Sequence, residues 1–262
     1  MKILVCIKQV PDMESRFRVS STGDWLEESD LAFRLNEYDE YAVEQAVRLK
    51  EQLGDVPEIT VLSIGPDRVG ESIRKALAMG CDRGVHIRDP ESSHKDPWQI
   101  ASLIASFARD KEFDLIFTGM QSQDRGSAQV GIMVAELLDY PCASTLVGFS
   151  YDNGIISARR ELEGGTRAVV RLRTPAVVTC QLGLNVPRYP TLPNIMKAKK
   201  KEILPVPVAE LFVEEGHAAT VRLYQPEKKG GGIVIEGDVN DLADKLVGIL
   251  KQKTMVLSAG RG

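Results

Sequence analysis

"EITVLSIGPDRVGESIRKALAMGCDRGVHIRD", residues 58–89, holds two apolar runs on either side of an amphipathic segment. "EITVLSIGP" reads as a buried strand and "RGVHIRD" as a second, shorter one. Between them "VGESIRKALAMG" places Ile73, Ala76 and Leu77 on one helical face and stops at Gly80. A strand, a helix and a strand in such a short span predict two parallel strands with the helix laid across them.

The same alternation extends in both directions. "KILVCIKQV" (2–10) is a continuous apolar strand run, and "YDEYAVEQAVRLKEQLG" (38–54) is an amphipathic helix with Gly54 as its stop. Ile100, Leu103, Ile104, Phe107 and Ala108 recur at helical offsets, "DLIFTG" (114–119) is a strand, and Val130, Met133, Val134, Leu137 and Leu138 repeat the helical offsets. After residue 144 the pattern changes: Asp152-Asn153-Gly154 sits between alternating segments as a hairpin turn, and "TRAVVRLRTPAVVTCQLGL" (166–184) alternates and then becomes apolar, as a strand re-entering the sheet would. From Glu202 proline and valine suggest an extended arm, and "EGDVNDLADKLVGILKQK" (236–253) a last helix capped near Asp238 or Asn240. The expected architecture is α/β: a doubly wound, mostly parallel sheet with a β-hairpin excursion. Residues 1–201 form the α/β domain, and residues 202–262 form an arm and helix without a core of their own, which suggests that they pack on something else.

Composition narrows the function. Asp and Glu outnumber Lys and Arg, 37 to 33, for a net charge of −4, which argues against a general nucleic-acid binder. Cys6, Cys81, Cys142 and Cys180 are scattered without a CxxC pair and read as reduced thiols, neither a zinc site nor a disulfide frame. "MKILVCIKQV" lacks the length and cleavage pattern of a signal peptide, and no run reaches membrane-spanning length, so the expected location is the cytoplasm with no membrane span.

In an open α/β sheet, ligands bind beyond the carboxyl ends of the strands where the strand order reverses. The ends "CIKQVPD", "SIGPD" and "TGMQSQDRGSAQVG" carry small and polar residues, and the third is the most informative. Gly119 and Gly126 permit close backbone approach, and Ser127 is placed to cap a helix beginning near Ala128, whose amino end offers N–H groups to an anion. That makes a candidate phosphate cradle, or an ordinary polar βα loop; GxGxxG and the P-loop Gly-Lys-Ser/Thr are both missing. No catalytic set emerges. His86, His94 and His217 stand in no metal-ligand spacing, Ser127 lacks a GxSxG context, and Glu37, Asp39 and Glu40 read as the acidic first turn of a helix.

"VPRYPTLPNIMKAKKK" (186–201) is the unusual stretch. Prolines 187, 190 and 193 bar a helix interior or central strand from its first half, which should run extended over the surface. Its lysines, 197 and 199–201, form either a solvated face, a nucleic-acid patch or a basic shoulder that steers acidic partners.

Several stretches together resemble the β subunit of electron transfer flavoproteins: "LNEYDEYAVEQAVRLKE" (35–51), "IGPDRVGESIRKALAMGCDRGVHI" (64–87), "RRELEGG" (159–165) and "PAVVTCQLGLNVPRYPTLPNIMKAKKK" (175–201), the last matching the family's signature. The resemblance covers nearly the whole chain. It implies a non-enzymatic electron carrier that pairs with an α subunit, receives electrons from dehydrogenases and passes them to a downstream oxidoreductase. FAD would be held mainly by the α subunit, and a structural AMP by this chain. Matched residue by residue, the resemblance implies an AMP site at Cys6, Asn36, Glu37, Tyr38, Asp39, Ile64, Gly119, Gln121, Asp124, Gly126, Ser127, Ala128, Gln129 and Val130. It implies a recognition loop for partner dehydrogenases with Tyr189, Pro193, Ile195 and Met196 around the anchor Leu192, and it sets Glu161 near the partner's flavin domain. One departure matters: Ala128-Gln129-Val130-Gly131 looks like the pattern of bifurcating members, which hold a second FAD in place of AMP, whereas Ile132 and "RRELEGG" do not. AMP is the reading taken, a second FAD its alternative, and a stand-alone nucleotide-hydrolysing enzyme a third, which would need a phosphate-activating lysine or metal ligands at the cradle.

Overall fold

The computed structural model describes residues 1–227, 230 and 232–253. The chain forms two compact units, Met1–Leu223 and Tyr224–Gly262.

In the first unit the elements follow in order. They are β1 (Lys2–Ile7), β2 (Gln9–Pro11), β3 (Phe33–Leu35), α1 (Glu37–Gln52), β4 (Glu58–Gly65), α2 (Val69–Met79), β5 (Arg83–Arg88), α3 (Pro97–Ala108), β6 (Leu115–Gly119) and α4 (Val130–Leu138). Then come β7 (Cys142–Asp152), β8 (Ile155–Glu161), β9 (Arg167–Arg173), β10 (Ala176–Cys180), α5 (Leu192–Ala198) and β11 (Ile203–Pro207). Nine strands build the main sheet in the order β11-β5-β4-β1-β6-β10-β7-β8-β9. The pairings from β11 to β7 are parallel, and β7-β8-β9 is an antiparallel excursion. It turns at Asn153 and Gly154, both at positive φ, as a tight hairpin requires.

Side-chain alternation along the buried strands builds two cores. Ile3, Val5 and Ile7 of β1 face α1 and α2, with Ala42, Val43, Ile73 and Leu77. Leu4 and Cys6 face α3 and α4, with Ile104, Phe107 and Val134. A sheet covered on both faces is the doubly wound arrangement expected from the apolar runs. From β1 the chain moves through α1 to β4 and β5 on one side. It then crosses through α3 to β6 on the other side, so the strand order reverses between β1 and β6.

The structure corrects two readings and adds a helix to a stretch whose second half carried none. The run 2–10 is two strands, because the Lys8 amide donates to Asp39 Oδ2 (2.6 Å) and leaves the ladder. The helix expected near Ala128 starts at Val130 with Gln129 at its N-cap and no side-chain cap, so Ser127 does not cap it. The second half of 186–201 is a helix, α5: Thr191 accepts from the Asn194 amide (3.4 Å), and proline stands in the first turn, where its missing N–H costs nothing.

The expected arm begins as β11, which pairs with β5 at the edge of the sheet. It then crosses α3. The amides of Phe212 and Glu214 donate to Ser106 Oγ and Ser102 Oγ, each at 3.0 Å, and those of His217 and Ala218 to Asp96 Oδ2 (2.5 and 3.0 Å). The second unit contains α6 (Val239–Lys253), with Asp238 Oδ1 accepting from the amides of Asn240 and Asp241 at 2.9 and 3.2 Å. Residues 228, 229, 231 and 254–262 of the expected arm lie outside the described residues. Among the described residues no helix is long and apolar enough to cross a membrane.

Candidate functional site

The carboxyl ends of β1 and β6 meet at the strand-order reversal, and Asp39 ties them together. From the first turn of α1 its Oδ1 accepts the Gly119 amide (3.0 Å) and its Oδ2 the Lys8 amide (2.6 Å). Gly119 has no room for a side chain, since a Cβ there would stand 2.2 Å from Asp39 Oδ1 and 2.8 Å from Tyr38 Cβ. Burial pushes the Asp39 carboxyl up to about 7, against the opposing pull of the Lys8 amide, Asn36, the Gly119 amide and the Lys8 ammonium.

Asn36 precedes α1 as its N-cap, yet makes no side-chain cap. Its amide group instead clamps the β6–α4 loop: Nδ2 donates to Gln121 O (2.9 Å) and Oδ1 accepts the Gln123 amide (3.0 Å). The loop's own side chains return the contact. Gln121 Nε2 donates to Tyr38 Oη (3.0 Å) and Gln123 Nε2 to Glu37 Oε2 (2.9 Å). Lys8 Nζ donates to both oxygens of Asp124 at 2.7 and 2.6 Å, and burial lowers its affinity for the proton although Asp124 counters this. Beyond these ties Gly126 (φ +61°) and Ala128 (φ +53°) take left-handed backbone, a curled path of the kind whose successive N–H groups converge on an anion. α4 then follows without a side-chain cap, and Gly131 brings its first turn against the sheet, where a Cβ would meet Thr118 Oγ1 at 2.5 Å.

Cys6, Asn36, Glu37, Tyr38, Asp39, Gly119, Gln121 and Asp124 therefore stand together at the ends of β1 and β6. Ile64 stands at the end of β4, the strand beside β1, and residues 126–130 form the far wall of the loop. Glu161 stands apart at the end of β8, where its Oε2 accepts from Gln181 Nε2 (3.2 Å). Two residues of the cluster escape a sequence reading, Lys8 and Gln123. The one signal that could have found Lys8 is its place at the end of the first strand. His86 is structural, buried with Nε2 2.8 Å from Gly65 O.

A second cluster surrounds residues 185–201. Arg188 donates through Nε to Glu44 Oε2 (2.8 Å) and through Nη1 to Glu51 Oε1 (2.6 Å), so the stretch is fastened to α1. Burial alone would raise the Glu44 carboxyl, but hydrogen bonds from Arg188 and Arg48 more than reverse it and hold it below the ordinary carboxylate range. Arg188 does the same to Glu51. At the other end Arg74 Nη1 donates to the carbonyls of Ala198 and Lys201 (2.7 and 2.5 Å), and Lys201 Nζ to those of Leu77 and Cys81. One lysine of the run is thus a structural cap on the carboxyl end of α2, while Lys197, Lys199 and Lys200 are exposed. Between these two anchors the apolar side chains point outward: Tyr189 is 94% exposed, Leu192 73%, Met196 54% and Ile195 39%. Single exposed apolar residues are common; four within eight positions of an anchored stretch form an exposed apolar patch.

Residues 25–211 match the electron transfer flavoprotein domain family. The chain is 37% identical to the electron transfer flavoprotein subunit beta of Methylophilus methylotrophus, over 96% of this chain and 98% of that protein. It is 36% identical to the protein of the same description from Bacillus subtilis, over 98% and 100% of the two chains. The mouse protein is 38% identical, over 94% and 96%.

Proposed function

The chain belongs to the electron transfer flavoprotein family, as a β subunit, and from that premise we propose that it works as half of an αβ heterodimer, holding AMP in the Gly119–Val130 cradle and docking dehydrogenases through residues 186–201. It is an electron-carrier subunit; FAD, bound mainly by the α subunit, supplies the one- and two-electron chemistry. Cytoplasmic dehydrogenases would be its donors and a downstream oxidoreductase its acceptor.

The observation that carries the reading is the anchored, outward-facing patch at Tyr189, Leu192, Ile195 and Met196. A patch held on rigid elements loses little conformational entropy on docking, and its central leucine has the character of an interface anchor. For the nucleotide, the fit rests on the pinned loop and on Gln123 Oε1, a buried acceptor without a partner among the described residues, which suits a ribose hydroxyl or a base amino group. Gly126, Ala128 and the uncapped start of α4 suit the phosphate. Glu161, exposed at the end of β8, is proposed to face the flavin-bearing part of the α subunit.

The test is to co-express the chain with its α subunit, release bound nucleotides by heat and count them per heterodimer. One FAD and one AMP support the reading. Two FAD and no AMP would support the bifurcating alternative that Ala128-Gln129-Val130-Gly131 leaves open. A chain that purifies alone with stoichiometric FAD would refute the heterodimer.

A further inference from the structure

Residues 12–32, between β2 and β3, are absorbed by neither the cradle nor the docking patch. The excursion touches the loops that follow three different strands of the parallel sheet. Arg68, in the loop after β4, lies over the Phe33 ring at 4.1 Å and pairs with Glu28 at 3.2 Å. Trp25 tilts against His94, in the loop after β5, with ring centroids 5.2 Å apart. Arg125, in the cradle loop after β6, sets its guanidinium 5.0 Å over the Trp25 ring and donates from Nη2 to the Ser93 carbonyl. Trp25 is held in turn by its indole N–H on Glu28 Oε1 (3.3 Å). The excursion thus lies across the carboxyl end of the sheet, the side on which the cradle opens.

We propose that Trp25 and Arg125 form a clasp that keeps the excursion closed on the cradle loop, so that a nucleotide bound there leaves only after the clasp parts. The proposal rests on the nucleotide reading above. Every other tie on the loop described above comes from the sheet side: Asn36 to Gln121 and Gln123, Tyr38 to Gln121, Glu37 to Gln123 and Lys8 to Asp124. Those ties fix the base of the loop. Arg125 is exposed and follows them directly, so an arginine free to swing would leave the loop's outer half held only by its backbone. The Trp25 face draws the guanidinium toward the excursion, and the Ser93 carbonyl, in the loop after β5, holds it from beside. Trp25 and Arg125 are therefore positioning residues: they act on the nucleotide through the loop.

The experiment uses the αβ heterodimer loaded with radiolabelled AMP and chased with unlabelled AMP. Trp25→Ala and Arg125→Ala should each release label about threefold to tenfold faster, as loss of a cation–π contact at a partly exposed site would do. The double variant should release more slowly than the product of the two single effects, because both remove the Trp25–Arg125 contact, while Arg125→Ala alone loses the Ser93 carbonyl and Trp25→Ala alone loses His94 and Glu28. Trp25→Phe should restore slow release, since it keeps a ring face. Melting temperature should stay near wild type in all of them. Fast release in Arg125→Ala with wild-type release in Trp25→Ala would overturn the clasp and make Arg125 a direct ligand. Unchanged release in both would overturn it too. A wild-type heterodimer that retains no adenine nucleotide would instead refute the cradle reading and the clasp with it. Should Trp25→Ala fail to fold, Trp25→Leu, which removes the ring face and keeps apolar bulk, takes its place: fast release supports the clasp, and wild-type release beside fast release in Arg125→Ala overturns it.

Discussion

Truncating Leu192 separates a docking residue from a packing residue. Leu192 is 73% exposed, so only about a quarter of its side chain is covered by its own chain. Full burial of a leucine contributes about 1.5–3 kcal/mol, so Leu192→Ala should cost roughly 0.5 kcal/mol of stability. At this chain length that is a melting-temperature change of about 1–2 °C. α5 should survive, because alanine is a better helix former than leucine and Thr191 and Arg74 still hold its two ends. A lost interface anchor costs more, about 1–3 kcal/mol, or about 5- to 150-fold in kcat/KM when the heterodimer is the electron acceptor of a dehydrogenase. The assay is therefore paired: thermal unfolding of the variant heterodimer, and the dependence of dehydrogenase turnover on heterodimer concentration. Asn194→Ala, on the same exposed helix, is the control for non-specific damage. A loss of about 2–5 kcal/mol in stability, the usual cost of truncating a core leucine, together with normal turnover would refute the reasoning.

Gly119→Ala should cost about 1–3 kcal/mol and reduce bound nucleotide, because the new methyl would meet Asp39 Oδ1 at 2.2 Å; normal nucleotide content would show that the Asp39 bridge does not shape the cradle. Arg188→Ala should cost about 2–3 kcal/mol, less than a fully orphaned buried charge because Arg48 still serves Glu44. The carboxyls of Glu44 and Glu51 are held below their ordinary values, so their contribution is present above pH about 4.3 and is lost as pH falls below it. Wild type should therefore lose stability steeply on acidification, and Arg188→Ala should flatten that acid limb in urea unfolding. Asp39 has the opposite sign. Its carboxyl is raised to about 7, so folding takes up a proton and this group's contribution declines as pH rises from about 4 through about 7. Asp39→Asn should remove that slope between about pH 4 and 7, and an unchanged slope would show that another group titrates there.

The class of fold was legible because its signals are local. Apolar runs of strand length, helical offsets such as those of Val130, Met133 and Val134, and Gly80 at a helix end act within a few residues of one another. The hairpin at Asp152-Asn153-Gly154 is equally local, since the turn itself demands positive φ. The place where the polar loops gather was legible, because strand ends at a reversal are where such sheets bring their loops together. Its construction was not. Asn36 has the sequence of a helix cap, but its side chain serves Gln121 and Gln123, roughly a third of the chain away. Lys8 reads as one more residue of an apolar run until Asp39 takes its amide. Arg188 and Glu44 meet across 144 positions, and nothing near either residue announces the other.

The prolines of 186–193 determined that this first half could not be core strand or helix interior, because proline fixes φ and removes a donor wherever it stands. That Leu192 faces outward was decided only when Arg188 bound α1 and Arg74 bound the carbonyl of Ala198. Periodicity says which side chains share a face. Which face meets water depends on where the rest of the chain has gone, and that is set by contacts between residues far apart in sequence.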